Sequence, residues 1–135
     1  MNRNDDSLAQ RCRRLFKALF PALKERARLD GYALLWHGSL ARDIDLVACP
    51  WTEACVDQAD LAEHLRKVAE AVTGCCFAAP HDNVPVKKPH GRLAWEFHFG
   101  GGPYIDLSVM PVARSDKQSF KIILPRPSAG ETEEG

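Results

Sequence analysis

Two long segments of the chain repeat apolar residues at three- and four-residue steps, which is the period of an amphipathic helix. The first spans residues 7–29, and its apolar stripe consists of Leu8, Cys12, Leu15, Phe16, Leu19, Leu23 and Ala27. We expect Pro21 either to kink this helix or to split it in two, because proline lacks the amide hydrogen that a helix interior uses. Asp30 and Gly31 are predicted to end it, since glycine suits the left-handed position after a helix.

A second helix is predicted after Pro50. Thr52 is a suitable N-cap residue, and the acidic side chains of Glu53 and Asp57 favour a first helical turn at this point. The apolar stripe of this helix consists of Val56, Leu61, Leu65, Val68 and Val72. Gly74 is predicted to close it, as the glycine after the first helix does.

Strands are predicted from two other patterns. Short apolar runs indicate buried strands, and alternation of apolar with polar residues indicates strands with one face in the core. The apolar runs are residues 32–36, 44–48 and 75–79, and the alternating segments are residues 93–99 and 104–109. Residues 80–91 and 100–103 are rich in proline or glycine and are predicted to form a loop and a turn.

The order of these elements predicts an α+β fold with one mixed β-sheet and helices packed on one face. We expect residues 1–124 to form a single domain, with residues 120–124 as an edge strand. Residues 125–135 are polar and acidic, and we expect them to form a disordered tail.

Composition and charge limit the classes of function. Lys plus Arg and Asp plus Glu both total 18, so the formal net charge is zero, and 45% of the residues are hydrophobic. This balance excludes a chain that is disordered throughout and a polycation that holds nucleic acid by net charge alone. No apolar stretch approaches the length of a membrane span, and the first residues lack the apolar core of a secretory signal. We therefore expect a cytoplasmic protein with no membrane partner.

Three aspartates interrupt the apolar strand patterns. Asp43 and Asp45 alternate with apolar residues, and Asp106 lies between Ile105 and Leu107. Because side chains alternate across a strand, the apolar neighbours face the helices and the aspartates face the other side of the sheet. Converging carboxylates repel one another unless a cation compensates them, and Mg²⁺ prefers carboxylate oxygens. The pattern predicts that the three aspartates bind Mg²⁺ or Mn²⁺.

A Gly-Ser pair stands between the first predicted strand and the paired aspartates, at Gly38 and Ser39. Glycine lets a phosphate approach the backbone, and the serine hydroxyl and nearby amides donate hydrogen bonds to phosphate oxygens. Gly-Ser alone is common in turns, and Asp-x-Asp alone is common in strands. Their combination with a third strand aspartate downstream is more specific, and it predicts phosphate binding next to the metal ions.

With these motifs, the chain resembles the DNA polymerase β-type nucleotidyltransferase superfamily in its small, stand-alone form. The resemblance rests on Gly38-Ser39, on Ala-Arg-Asp-Ile-Asp-Leu at residues 41–46 and on Ile-Asp-Leu at residues 105–107, and it covers about residues 32–110. It implies that the three aspartates are catalytic and bind metal ions, while the glycine and the serine contact a nucleoside triphosphate. It also implies transfer of a nucleoside monophosphate to a hydroxyl acceptor, with release of pyrophosphate.

The chain departs from the family pattern between Gly-Ser and the first aspartate, where family members usually have a longer stretch that opens a helix. Here only residues 40–42 intervene, and we expect Arg42 to supply part of the phosphate binding that this helix provides elsewhere. An alternative hypothesis follows from the short loop. The chain would then be a catalytically degenerate module of the same fold that binds a nucleotide or a partner protein, as an antitoxin does.

Other polar groups near the predicted site have two open interpretations. Lys87, Lys88, His90 and Arg92 form a basic loop that either grips phosphates or the acceptor, or is simply exposed to solvent. Arg92 adjoins the next strand and is best placed, so we assign it to nucleotide binding together with Gly38, Ser39 and Arg42. The predicted hairpin sets Glu96 opposite Asp106, with His98 on the same face. These two residues either assist proton transfer and acceptor positioning or belong to an ordinary solvated face.

The first helix carries seven basic residues from Arg11 to Arg28 against one acidic residue, Glu25. This face is either a solvated helix surface or a docking surface for an anionic partner such as nucleic acid. The acceptor stays open between a small molecule, an RNA end and a partner protein. Self-association as a homodimer, or association with a protein partner, is a further hypothesis for so small a core.

Overall fold

The computed structural model describes residues 7–79 and 84–113 of the 135 residues. The predicted edge strand at 120–124 and the predicted tail at 125–135 lie outside these residues. The helices are α1 (Leu8–Leu29) and α2 (Gln58–Thr73). The strands are β1 (Tyr32–His37), β2 (Asp43–Pro50), β3 (Phe77–Ala79), β4 (Val86–Lys87), β5 (Leu93–His98) and β6 (Tyr104–Val109).

The strands form one six-stranded sheet in the order β1-β2-β6-β5-β3, and β4 also pairs with β5. Strands β2 and β6 are parallel, and every other pair is antiparallel. The predicted α+β fold with a mixed sheet is therefore confirmed. The parallel pairing also sets the first residues of β2 and β6 side by side at one end of the sheet.

Both helices cover the same face of this sheet, as the strand alternation predicts. Their buried side chains pack in one cluster with those of the strands, which includes Leu19, Leu23, Leu61, Leu65, Ile44, Leu46, Trp95, Phe97, Ile105 and Leu107. No helix in the described part of the chain covers the opposite face, which we call the open face. Neither of the two helices described is long and apolar enough to cross a membrane.

Helix α1 begins at a local signal and continues through its proline. The Ser7 hydroxyl accepts a hydrogen bond from the Gln10 amide at 3.1 Å, and the Gln10 side chain accepts one from the Ser7 amide at 2.9 Å, which together form a capping box. The helix is continuous at Pro21, so of the two expected outcomes, a kink or a split, the split does not occur. Leu19 and Leu23 are buried on either side of the proline, and their packing holds both halves against the sheet.

Helix α2 begins later than predicted. It starts at Gln58 with Asp57 as its N-cap, and Thr52 is not the capping residue. The Thr52 hydroxyl instead accepts a hydrogen bond from the Ala54 amide at 3.2 Å, which forms a local turn. The other end agrees with the prediction, because Gly74 closes α2 in the left-handed conformation.

Contacts with the end of α1 explain the late start. The Val56 amide donates a hydrogen bond to the Asp30 carbonyl at 3.0 Å, and the Val56 carbonyl accepts one from the buried Tyr32 hydroxyl at 2.7 Å. Gly31 has a φ of +93°, and an added Cβ would lie 2.6 Å from the Cβ of Cys55. These distant partners hold the segment before α2 in a non-helical conformation, which local sequence signals do not reveal.

The segment between α2 and β5 also differs from the prediction. Strand β3 begins at Phe77 rather than at residue 75, so the exposed Cys75 and the buried Cys76 precede it. The stretch predicted as a loop contains β4 and a 3-10 turn at Pro89–Gly91. Because β4 has two residues, it is too short to produce a recognisable pattern of alternation.

A buried ion-pair cluster joins the two helices. Asp30 is 3% exposed, and its carboxylate accepts hydrogen bonds from Arg26 of α1 and lies 2.7 Å from Nδ1 of His64 on α2. Burial alone would raise the pKa of Asp30, but the hydrogen bonds from Arg26 and His64 outweigh burial and hold the pKa below its usual value. This carboxylate is therefore fully compensated within the fold.

Candidate active site

The three aspartates that interrupt the strand patterns converge on the open face. Asp43 and Asp45 lie on β2, and Asp106 lies on β6 as the register partner of Asp45. One oxygen atom from each carboxylate lies within 4.8 Å of the others. The convergence follows from two features of the backbone, namely the alternation along β2 and the parallel register between β2 and β6.

The charges of this triad are poorly compensated. Burial and then the charge of Asp43 raise the pKa of Asp45, while burial followed by the charges of Asp45, Glu96 and Asp43 raises the pKa of Asp106. A divalent cation at this position would offset both the cost of burying the charged carboxylates and the repulsion between them. Three carboxylates at this spacing are hard oxygen donors, which suit Mg²⁺ or Mn²⁺.

Gly38 brings the loop between β1 and β2 against the triad. Its φ is +88°, and an added Cβ would lie 2.8 Å from Oδ2 of Asp45, so glycine is required both by the backbone and by the space. Leu40 is buried, with a φ of +59°, and anchors the same loop in the core. Ser39 and Arg42 are exposed in this loop. The structure thus sets Gly38 beside Asp45 and leaves the Ser39 and Arg42 side chains in solvent.

The hairpin of β5 and β6 adds polar and aromatic groups next to the triad. Glu96 is the register partner of Asp106, as predicted, and its carboxylate lies 3.0 Å from Nε2 of His98. The Tyr104 hydroxyl donates a hydrogen bond to Asp43, and its ring stacks on His98 with 4.8 Å between centroids. Burial and the charge of Asp43 raise the pKa of Tyr104, so this hydroxyl stays a donor at neutral pH.

A cavity of about 670 Å³ opens on the same face. Its lining includes the carboxylates of Asp45, Asp106 and Glu96 and the cationic side chains of Lys88 and Arg92. Apolar lining is supplied by Val47, Val86 and Ala94. The volume is typical of sites for small molecules. One ligand can therefore meet carboxylates, an apolar surface and two cations at once.

Two residues of this face were missed by the sequence reasoning. Tyr104 and Ser108 flank Asp106 at two-residue spacing on β6, so the alternation that placed Asp106 already indicated their face. No sequence pattern indicated which residues these two side chains contact. The Ser108 hydroxyl accepts a hydrogen bond from Nη1 of Arg92 at 2.7 Å, and Tyr104 donates to Asp43 across the parallel strand pair.

The basic face of α1 is partly engaged within the fold. Arg11 donates a hydrogen bond to the Gly101 carbonyl at 2.9 Å, and Arg28 pairs with Glu25 at 2.7 Å. Arg26 belongs to the buried cluster around Asp30. These contacts support the folded structure, and they reduce the basic surface that α1 offers to an anionic partner.

Comparison with known proteins gives a limited set of similarities. No protein-family model matches the sequence, and no curated protein matches it either. Terminal uridylyl transferase 4 from Trypanosoma brucei with bound dUTP is a similar solved structure, at 17% identity and a TM-score of 0.44 over 85% of this chain and 44% of that chain. The same protein with bound CTP is similar at 15% identity and a TM-score of 0.43 over the same shares. The chain spans less than half the length of these two chains.

Proposed function

We propose that this chain is a metal-dependent nucleotidyltransferase, which transfers a nucleoside monophosphate from a nucleoside triphosphate to a hydroxyl acceptor. The observation that carries the proposal is the meeting of Asp43, Asp45 and Asp106 within 4.8 Å. A cavity whose lining also includes the cationic side chains of Lys88 and Arg92 adjoins this triad. The sequence resemblance of the Gly-Ser and Asp-x-Asp motifs supports the same activity.

The triad suits divalent ions by the chemistry of its donor set. Asp43, Asp45 and Asp106 would hold the Mg²⁺ or Mn²⁺ ions through their carboxylate oxygens. Such ions, when bound, neutralise charge on the triphosphate and lower the pKa of the acceptor hydroxyl. Burial and then repulsion between carboxylates raise the pKa values of Asp45 and Asp106, and a bound cation would offset both effects.

The loop between β1 and β2 would bind the triphosphate. Gly38 exposes its backbone beside Asp45, where a side chain would collide with the carboxylate. A phosphate can therefore approach the main chain and the triad together. Ser39 and Arg42 are exposed in the same loop, from which a hydroxyl and a guanidinium can donate hydrogen bonds to phosphate oxygens.

The proposed transfer is a substitution at the α-phosphorus of the triphosphate. The acceptor oxygen attacks the α-phosphorus, a new oxygen–phosphorus bond forms, and the bond from the α-phosphorus to the bridging oxygen breaks. Pyrophosphate leaves with that electron pair. Asp106, which lines the cavity, accepts the hydroxyl proton.

The proposal is tested with labelled nucleoside triphosphates, Mg²⁺ or Mn²⁺ and a cell extract as the source of acceptor. We expect metal-dependent labelling of an acceptor and equimolar pyrophosphate, both lost in Asp106→Ala. The matched control is Asp60→Ala, because Asp60 is an exposed aspartate on α2, away from the triad. Equal turnover in Asp106→Ala and the unmodified chain would contradict the proposal.

The short loop favours a second candidate, a nucleotide-binding module without transfer activity. The five residues between β1 and β2 contain no helical turn, so they supply fewer backbone amides to a triphosphate than a helix N-terminus does. This candidate predicts calorimetric binding of a triphosphate, dependent on Asp45, without pyrophosphate release under any acceptor condition. Detection of pyrophosphate that depends on Asp106 would exclude it.

A further inference from the structure

The hairpin of β4 and β5 holds two cationic side chains over the open face. Its tip consists of residues 88–92, and the Lys88 amide donates a hydrogen bond to the Arg92 carbonyl at 2.8 Å to close it. His90 and Gly91 take left-handed conformations within the tip, at φ values of +67° and +80°. The tip thus turns sharply, and Lys88 and Arg92 both line the cavity.

The same tip is fastened to the rest of the fold. Nε2 of Gln58, the first residue of α2, donates hydrogen bonds to the Gly91 carbonyl at 3.1 Å and to the Val109 carbonyl at 2.8 Å. An added Cβ at Gly91 would lie 3.2 Å from Pro111, so the tip packs closely against the chain after β6. The two cations are therefore carried by a braced backbone, which reduces the entropy lost when they bind an anion.

Arg92 and Lys88 lie on the β5 side of the triad, next to Asp106. Nη1 of Arg92 donates to the Ser108 hydroxyl at 2.7 Å, and Ser108 follows Asp106 by two residues on the same face of β6. The charge of Lys88 acts on Asp106 itself and opposes the rise of its pKa. Within residues 7–79 and 84–113, neither cation forms an ion pair with a carboxylate.

We propose that Lys88, Arg92 and Ser108 form a binding site for a phosphate monoester carried by the acceptor. The inference rests on the proposed function for the role of the acceptor, but phosphate binding itself does not require turnover. Two cations and a hydroxyl match the double negative charge and the several oxygens of a monoester better than they match a single carboxylate. The Gly38 loop lies on the other side of the triad, next to Asp45, and is left to the nucleotide. The proposal therefore moves Arg92 from the nucleotide, to which the sequence assigns it, to the acceptor.

The spacing along β6 also limits the size of the acceptor. Residues two apart on a strand are separated by roughly 6.6 Å, so the phosphate at Ser108 lies about one such step from a hydroxyl at Asp106. Val47, Val86 and Ala94 line the cavity next to this step and suit the apolar face of a sugar or a similar ring. The substrate class that fits is a small phosphorylated alcohol, such as a sugar phosphate, with its free hydroxyl on the far side of the ring.

Binding is tested first without metal ions, by nuclear magnetic resonance titration of the full chain with ribose 5-phosphate and with ribose. We expect ribose 5-phosphate to bind at least tenfold more tightly than ribose. Arg92→Gln and Lys88→Gln should each weaken ribose 5-phosphate binding about tenfold, as expected for loss of a charged hydrogen bond. Lys87→Gln is the matched control, because Lys87 is the register partner of the inward-facing Leu93 and does not line the cavity.

Three results would overturn this inference. Equal weakening in Lys87→Gln would show a general effect of charge. Equally tight binding of an RNA dinucleotide that has only a phosphodiester would show that the site does not select a monoester. Loss of triphosphate affinity in Arg92→Gln, measured with Mg²⁺ and without acceptor, would assign the cations to the nucleotide. If Arg92→Gln fails to fold by thermal melting, Lys88→Gln and Ser108→Ala decide the outcome.

A failure of the proposed function gives a different pattern. Metal-independent binding of ribose 5-phosphate that depends on Arg92 and Lys88, together with absence of pyrophosphate release, would leave the phosphate site standing and remove the transfer reaction. The opposite pattern is turnover that depends on Asp106 but is equal, at limiting acceptor, in Lys88→Gln and the unmodified chain. It would leave the transfer reaction standing and remove the phosphate site.

Discussion

Two acidic regions of this molecule differ in how their charge is balanced. Asp30 is 3% exposed, yet Arg26 and His64 hold its pKa below the usual value. Asp45 and Asp106 are more exposed than Asp30, yet their pKa values are raised, because burial and neighbouring carboxylates act in the same direction. Burial alone therefore does not distinguish a structural carboxylate from a candidate catalytic one.

The difference lies in the partners that the fold supplies. The cluster around Asp30 joins the end of α1 to α2, so its charges satisfy one another and stabilise the packing of the helices. The triad adjoins a cavity and has Glu96 beside it, and the nearby charge of Lys88 does not prevent the rise in the pKa of Asp106. Carboxylates with raised pKa values that adjoin a cavity mark a candidate functional site.

The largest expected effect is on activity, and it separates the two regions directly. Asp45→Asn and Asp106→Asn should each lower the rate of the proposed nucleotide transfer by about 10²-fold or more, because each removes a negative charge that would hold the metal ions at the reacting phosphate. Asp30→Asn should leave the rate per folded molecule unchanged, since Asp30 lies on the helix-covered side. Pyrophosphate release, normalised to the folded fraction from circular dichroism, measures both. An equal loss of rate in Asp30→Asn and Asp106→Asn would contradict the assignment of a structural role to Asp30 and a catalytic role to Asp106.

The second effect is on the free energy of unfolding, and here the substitution of Asp30, not of the triad, is the damaging one. Asp30→Asn should lower it by about 3 kcal/mol, near the lower end for breaking a buried ion pair, because Arg26 and His64 reach solvent. Urea denaturation gives the value. Glu25→Gln is the matched control on the same helix: Glu25 pairs with Arg28 in full solvent, and no measurable change is expected. Equal changes in the free energy of unfolding for Asp30→Asn and Glu25→Gln would show that the buried cluster stabilises the fold no more than an exposed ion pair does.

A third test uses two glycines with the same backbone but different neighbours. Gly38 and Gly74 have φ values of +88° and +92°, so alanine at either position should destabilise the chain by about 1 kcal/mol. At Gly38 the new Cβ also meets Oδ2 of Asp45 at 2.8 Å, whereas at Gly74 it meets nothing within 4 Å. We expect Gly38→Ala alone to weaken Mn²⁺ binding, measured by calorimetry, because Asp45 must rotate away. Unchanged Mn²⁺ affinity in Gly38→Ala would show that Asp45 is not a ligand.

The smallest effect is the pH dependence of stability, and its sign differs between the regions. The lowered pKa of Asp30 contributes stability that is complete above about pH 4, the ordinary value, and is lost as the pH falls further through the lowered one. The raised pKa of Asp106 has the opposite effect, since ionisation above it destabilises the fold.

Without divalent ions, Asp106→Asn should therefore be more stable than the unmodified chain at pH 7.5, and this advantage should disappear by about pH 4. Mg²⁺ should raise the melting temperature of the unmodified chain and have a smaller effect on the variant. Urea and thermal denaturation over a pH series measure these differences. A variant that is less stable than the unmodified chain at pH 7.5 would mean that Asp106 is compensated within the fold, as Asp30 is.

Local patterns in the sequence were enough to place the candidate site on one face of the sheet. The alternation around Asp43, Asp45 and Asp106 assigned each carboxylate to the face opposite the apolar residues, and the glycine-rich turn set Glu96 opposite Asp106. The ends of both helices at Gly31 and Gly74 were equally visible, because a left-handed residue is a local requirement of the backbone.

Contacts between residues far apart in the chain decided the rest. The parallel register that pairs Asp45 with Asp106, the contact of Arg92 with Ser108 and the displacement of the start of α2 from Thr52 to Gln58 all depend on such contacts. The sequence by itself determined which side chains share a face, because that depends on the period of a strand or helix. Only the tertiary structure decided which of those faces meet, because pairing between distant segments depends on the packing of the whole core.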